Sequence, residues 1–261
     1  MFCGIFLKAI KYIYIMRKIR YFLYVILILF ACIFISKIEL KCYESLPVSY
    51  ITLNAYEQTD KVAYLTFDDG PSKRVTPKVL DILDNYDIQA SFFLIGSKAE
   101  KYPEIVKREY EDGHFIGNHT YSHHNNEIYT SKEAFLKEIE RTDNVIAGIL
   151  GVDEFKCKIF RFPNGSKAGQ YSVQKRKCFK YLDEIGYSYI DWNALNNDSI
   201  RKYTREQLIS NLKKTVKGKN AVIILMHDSG DVNKTYDVLE DSIKFLRDEG
   251  FEFRTLYDFV E

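Results

Sequence analysis

No two cysteines in this chain stand at the C-x-x-C spacing, so a thiolate zinc site is not expected. The five cysteines are scattered instead. Cys3 and Cys32 lie in an N-terminal apolar segment and Cys42 just beyond it, while Cys157 and Cys178 sit far downstream. The last two could be bridged in an oxidising compartment or stand as separate thiols. A surplus of one charge is also missing: 37 Lys and Arg against 36 Asp and Glu leave a net charge of +1. That balance gives no argument for nucleic-acid binding, which needs a basic excess or a clustered basic face. Internal repeats and low-complexity stretches are absent. Tryptophan occurs once, yet 20 Tyr and 18 Phe supply rings for a core or for flat ligands such as sugars. Histidine is scarce at five, so three of them falling into one pattern carries weight.

The one long hydrophobic run is confined to the beginning. Residues 21–36 (YFLYVILILFACIFIS) carry no charge, and Ile38 extends the run if Lys37 snorkels at its edge. About 20 apolar residues span a bilayer as a helix, so residues 21–38 are just long enough. Lys8, Lys11, Arg17, Lys18 and Arg20 precede them, which favours a cytoplasmic N-terminus over residues 1–20. The expectation is a single-pass signal-anchor at the cell membrane with the rest of the chain outside. A cleaved secretory signal is the alternative. Residues 39–60 show no helical period and read as a stalk, and residues 61–261 form the folded domain.

Within that domain short apolar runs alternate with longer amphipathic stretches. Val62–Phe67 precedes a helix over Thr76–Tyr86, and Ala90–Ile95 precedes one over Ser97–Glu111. Phe115–Ile116 leads to a histidine loop and then a long helix over Ser131–Leu150. Ile159–Phe162, Ser172–Ile185, Tyr187–Trp192, Thr204–Lys217, Ala221–Met226 and Lys234–Glu249 continue the alternation, and Glu252–Arg254 adds a last short strand. Such order implies parallel strands with helical crossovers, and about seven units in roughly 200 residues suggest a barrel. Asp68, His119, Arg161, Asp191 and His227 then fall at or just after strand ends, which share one face of a parallel barrel.

His119 and His123 are four residues apart, so on a helical turn both rings could grip one ion. Joined by a carboxylate they make a His₂-Asp donor set that suits a borderline cation and leaves positions open for water. Asp68 and Asp69 are adjacent, and side chains along an extended chain alternate. One would then bind metal while the other works beside a water. Asp-Asp-Gly-Pro also reads as a plain solvated turn. His124 is expected to point to solvent and His114 to be structural.

Taken together, Thr66-Phe67-Asp68-Asp69-Gly70-Pro71, His119-Thr120-Tyr121-Ser122-His123, Arg161-Phe162-Pro163-Asn164-Gly165 and Leu225-Met226-His227 resemble the polysaccharide deacetylases with a NodB homology domain, carbohydrate esterase family four. The resemblance covers roughly residues 60–261. It implies a distorted (β/α) barrel and a metal-dependent deacetylase in which Asp69, His119 and His123 hold one divalent ion, zinc or cobalt. By the same likeness Asp68 is the general base, His227 the general acid, and Arg161 the residue holding Asp68. The Asn164 N–H would serve the oxyanion and Leu225 the acetyl methyl, with Trp192 beside the pocket. One segment departs from the family pattern: Leu195 stands where many relatives carry an Asp that tunes the catalytic histidine. Asp191 is the carboxylate expected to replace it.

An anchored domain outside the membrane faces cell-wall glycan, so N-acetylglucosamine of peptidoglycan is the favoured substrate. An esterase for O-acetylated xylan or similar polymers, and a catalytically idle glycan-binding module, are the rival readings.

Overall fold

The computed structural model describes residues 60–230 and 235–260. The expected cytoplasmic segment and anchor, and all but the end of the stalk, lie outside those residues. Among the described residues no helix is long and apolar enough to cross a membrane.

Among the described residues eight strands alternate with helices, save that β5 leads directly to β6: β1 (Val62–Gly70), β2 (Ser91–Leu94), β3 (Phe115–Asn118), β4 (Ile159–Phe160), β5 (Ser188–Tyr189), β6 (Ala194–Leu195), β7 (Ala221–His227) and β8 (Glu252–Arg254). Between them run α1 (Thr76–Asn85), α2 (Gly96–Lys101), α3 (Pro103–Glu111), α4 (Asn125–Ile128), α5 (Lys132–Leu150), α6 (Ser172–Glu184), α7 (Arg205–Val216) and α8 (Thr235–Asp248). Every pairing is parallel. Seven strands follow the order β5-β4-β3-β2-β1-β7-β6, and β8 pairs with β1. The sheet curls as a half-barrel whose end strands β5 and β6 are not paired with each other. The expected barrel is therefore an open one.

Alternation along β1 sorts its side chains between two cores. Ala63, Leu65 and Phe67 join Leu80, Phe92, Val106, Phe135 and Ile243 in a layer between sheet and helices. Val62 and Tyr64 join Phe93, Phe115, Ile159, Ile190 and Ile223 inside the curve of the sheet. Thr66 and Asp68 continue the inner row toward the C-terminal end. Leu225 and His227 extend the Ile223 row of β7 in the same way, and Asp68 stands level with His227 in the register.

Local chemistry explains the helix ends. The Ser131 side chain accepts from the Ala134 N–H at the start of α5, and Gly151 closes that helix in the left-handed region at φ 70°. Thr204 and Gln207 form a reciprocal capping box on α7. The single helix expected over Ser97–Glu111 is two, because Pro103 removes a helical N–H and restricts Tyr102 to φ −131°, ψ 58°. The short helix α4 and strand β6 fall below the length at which periodicity speaks. Cys157 and Cys178 are buried free thiols, so the possible bridge is not formed.

Phe135 packs its ring against Phe160, Phe162 and Tyr129 at 5.4, 6.0 and 6.3 Å between centroids. Phe135→Ala should cost about 3–5 kcal/mol, the usual range for a buried aromatic. Urea denaturation reads this, and an unchanged midpoint would contradict the packing described.

Candidate active site

Asp68 and Asp69 end β1 where its register against β2 slips by one residue. Asp69 takes a left-handed conformation, φ 69°, which Asp tolerates better than most residues. That kink overrides strand alternation, so both carboxylates reach the cleft. The Asp69 Oδ1 atom lies 3.3 Å from His119 Nε2 and 3.2 Å from His123 Nε2. Asp68 turns one oxygen to Arg161 at 2.9 Å and leaves the other 3.9 Å from His119 Nε2.

The two histidines do not share a helical turn, contrary to the sequence expectation. Thr120 (φ 70°) and His123 (φ 60°) fold the segment back on itself as a loop. Glu138 of α5 holds that loop by accepting from the Tyr121 N–H, the Ser122 N–H and the Ser122 hydroxyl at 2.9, 2.7 and 3.0 Å. Asn118 adds a bond from the Thr120 N–H at 3.0 Å. His119 Nδ1 lies 2.8 Å from the Arg161 carbonyl, which can only accept, so that nitrogen carries the proton. The Nε2 atom faces the Asp69 oxygen, and in the neutral ring it does so with a lone pair. Two acceptors 3.3 Å apart are favourable only with a cation or proton between them.

Charge states fit the same reading. Burial pushes the Asp69 carboxyl up, but the hydrogen bond and charge of His119, followed by His123 and His227, outweigh it and hold it well below the usual carboxylate range. Burial, then the neighbouring His119, brings His123 down to about 4. One anionic oxygen and two imidazole nitrogens, all within 4.8 Å of one another, make a donor set that suits a divalent cation.

Arg161 follows β4 with its side chain wholly buried. Besides Asp68 it donates to the Thr66 hydroxyl at 2.6 Å and to the Ile190 and Asp191 carbonyls at 3.1 and 3.4 Å. Its guanidinium lies 4.0 Å from the centre of the Phe93 ring. The expected holder of Asp68 is in place.

His227 ends β7. Its Nδ1 donates to Asp198 Oδ1 at 2.7 Å, and its backbone N–H donates to Asp198 Oδ2 at 2.7 Å. Thr235 adds a third bond to that carboxylate at 2.6 Å. Burial alone would lower the His227 pKa. The hydrogen bond and charge of Asp198, then the charges of Asp68 and Asp69, overcome it and raise the value to about 9.

Asp191 does not tune His227. Its carboxylate accepts from the Ser166 N–H at 2.9 Å and from the Ser166 hydroxyl, which ties the loop after β4 to the end of β5. The chain needs seven more residues to bring a carboxylate under His227. Asp198 was missed because Asn196-Asn197-Asp198 reads as a solvated turn; the Asn196 side chain does accept from the Asp198 N–H at 2.9 Å. Asp228 was missed as well. It is fully buried, takes a bond from Thr76, and leaves no room for a side chain at Gly70, where an added Cβ would stand 2.2 Å from its Oδ2. That contact braces the Asp68-Asp69-Gly70 turn from behind.

Leu225, Asn164 and Trp192 lie in or after strands at the same end of the sheet, whereas His114 precedes β3. Leu225 is 7% exposed on the inner row of β7, two residues before His227. Asn164 is exposed on the loop after β4, with φ 61°. Trp192 is half-buried against the inner core, and its ring would meet a Cβ on Gly165 at 3.0 Å. His124 is exposed and pairs with Glu127 at 3.4 Å. His114 is buried, with Nδ1 accepting from the Ala90 N–H at 3.1 Å.

A family model described as polysaccharide deacetylase matches residues 55–190. This chain belongs to the polysaccharide deacetylase family. A peptidoglycan-N-acetylglucosamine deacetylase of Bacillus cereus is 32% identical over 204 residues, covering 76% of this chain and 70% of that protein. Among solved structures, a Streptococcus mutans CE4 esterase superposes with a TM-score of 0.70 at 28% identity, over 80% of this chain and 90% of its own. The Xyl-CE4 domain of a multidomain xylanase from the hindgut metagenome of Trinervitermes trinervoides gives 0.63 at 31% identity, over 77% and 89%. The chain is thus a deacetylase-type hydrolase of carbohydrate esterase family four, similar to peptidoglycan-N-acetylglucosamine deacetylases.

The raised His227 pKa predicts a pH dependence of stability. A folded pKa of about 9 against an ordinary 6.5 means that the protonated ring stabilises the fold. That contribution is complete below about 6.5 and is lost as pH rises through about 9. Asp198→Asn should lower the His227 pKa and flatten this alkaline loss. Imidazole NMR titration of the metal-free protein checks it, and an unmoved titration would reject Asp198 as the cause.

Proposed function

We propose that this chain removes acetyl groups from N-acetylglucosamine of peptidoglycan, using one divalent ion held by Asp69, His119 and His123, with zinc favoured and cobalt suitable. The observation that carries the proposal is the pairing of a three-donor cluster with two separately held groups suited to proton transfer, Asp68 held by Arg161 and His227 held by Asp198. A binding module has no use for such a pair.

When bound, the cation supplies polarisation of the acetyl carbonyl and a lowered pKa for water. The chain does the rest. Asp68, fixed at one oxygen by Arg161, takes the proton of the attacking water at the other. The Asn164 N–H donates to the oxygen on which negative charge develops. His227 is protonated at neutral pH, so it can donate from Nε2 to the departing amine, which would otherwise leave poorly. Leu225 packs beside the acetyl methyl, and Trp192 buttresses the loop that carries Asn164.

An O-acetyl esterase would use the same groups with less demand on His227, because an alkoxide needs less help to leave. The uncharged run at residues 21–36 and the five basic residues before it support an anchored domain facing the wall. N-terminal sequencing of the cell-associated protein tests that part; a start near Cys32 or Lys41 would show cleavage instead.

His119→Ala should lose metal and activity together while remaining folded. Asp68→Asn should keep metal and lose turnover by two orders of magnitude or more, in line with a general base worth roughly 10²–10⁴. Acetate release from peptidoglycan fragments, chitin oligomers and acetylated xylan, with metal analysis of each sample, reads all of these. Release from xylan alone would move the assignment to the esterase reading, and release from none would remove the function proposed.

A further inference from the structure

The loop that carries Asn164 is held by a residue no motif contains. Lys175 lies in the first turns of α6, within a lysine- and arginine-rich stretch that reads as a solvated helix face (QKRKCFK). It is instead 2% exposed. Its ammonium donates to the carbonyls of Pro163, Gly165 and Ala168 at 2.6, 2.7 and 3.4 Å. Three donors meet three acceptors, so the buried ammonium is fully satisfied without a hydrogen-bonded carboxylate. A lysine buried this way must matter to the segment it binds, because burying a charge is costly unless its partners are in place.

Peptide geometry gives the consequence. In a trans peptide the C=O and the following N–H point in opposite directions. Lys175 draws the carbonyls of Pro163 and Gly165 toward itself, so the N–H groups of Asn164 and Ser166 are turned away from it. The Ser166 N–H shows where that direction leads: it meets Asp191 Oδ1 at 2.9 Å, on the wall formed by the end of β5. The Asn164 N–H has no hydrogen-bond acceptor among the described residues. Positive φ angles at Asn164 (61°) and Gly165 (78°) bend the chain between the Pro163 and Gly165 carbonyls, and both reach the ammonium. An ammonium on a carbonyl also polarises that peptide, which strengthens the N–H at its other end.

We infer that Lys175 is a positioning residue for the reaction: by gripping the Pro163 and Gly165 carbonyls, with Asp191 pulling on Ser166 from the opposite side, it aims and strengthens the Asn164 N–H for the acetyl oxyanion. The inference rests on the deacetylase mechanism proposed above. It also makes Asp191 the opposing arm of the clamp on this loop.

Wild-type protein gives the first test. In the metal-free full chain, Asn164 amide exchange should be fast and Ser166 exchange slow; a protected Asn164 amide would overturn the inference. Lys175→Met and the milder Lys175→Gln, which keeps two N–H donors, are then compared with wild type on an N-acetylglucosamine tetramer with zinc. Removing one oxyanion donor costs about 10²–10³ in kcat, so weakening it should lower kcat about tenfold or more. KM and zinc stoichiometry should stay within twofold, and the Asn164 amide resonance should move. A role limited to stability would lower the melting temperature and leave the kcat of the folded protein unchanged, which refutes the assignment. If Lys175→Met does not fold, Lys175→Gln with kcat within twofold of wild type, or with an unmoved Asn164 amide, refutes it as well. An inactive wild type whose Asn164 amide still moves in Lys175→Gln would sink the proposed function and leave the clamp standing.

Discussion

A buried guanidinium holds the site together. Arg161 has no contact with solvent, so its charge must be matched inside the protein or it would destabilise the fold. Asp68 supplies the opposite charge, and the Thr66 hydroxyl and two carbonyls absorb further N–H groups. The backbone carbonyl of the same residue fixes the His119 tautomer at 2.8 Å. One residue thus orients the Asp68 carboxylate with its side chain and the His119 ring with its main chain. Errors in the position of β4 would reach both groups at once. The coupling explains how strands as short as Ile159–Phe160 can anchor a site: what fixes them is the bonding of the residue that follows.

Much of this was legible in the sequence. Alternating apolar runs located the strands, and parallel order put their chemistry-bearing ends on one face. Asp68, His119, Arg161 and His227 were found that way, with the motif resemblance giving roles. The geometry of the ligand loop was not legible, because Thr120, His123 and Asp69 all sit in the left-handed region without a glycine to announce it. A helical turn was the reasonable reading of a four-residue spacing, and tertiary bonds from Glu138 override it. Asp198 and Lys175 were hidden for a related reason. Polar residues in an Asn-rich loop or a basic helix look solvated until the packing of other elements buries them. Burial of that kind depends on long-range contacts, which no local pattern contains.

The half-barrel leaves its gap between β5 and β6, and the chain that crosses it and runs on past β6 does two jobs. Asp191, at one side, holds the loop after β4. Asp198, beyond β6, dips under the end of β7 to meet His227. A closed barrel with a longer sixth strand would keep that segment in regular pairing and carry those residues up and down in strict alternation. The irregular crossing lets two carboxylates seven residues apart serve different loops. That is why the expected partner and the actual one are easily exchanged on paper: both follow short strands, and only the path of the crossing tells them apart.

The proposed acid and base place opposite demands on their surroundings, and the fold meets them by giving each its own counter-charge. The carboxylate of Asp68 is matched to Arg161 from β4; the imidazolium of His227 is matched to Asp198 from beyond β6. Register puts Asp68 and His227 on adjacent strands at the same level, yet no hydrogen bond or ion pair within 4.0 Å joins them among the described residues. If they did bond directly, the proton would pass from one to the other and both functions would be lost. Because each is already satisfied on its far side, the near sides stay available. Environments that separate the protonation states of two neighbouring groups assign their roles, and in the proposed mechanism that assignment rests on two buried partners, Arg161 and Asp198.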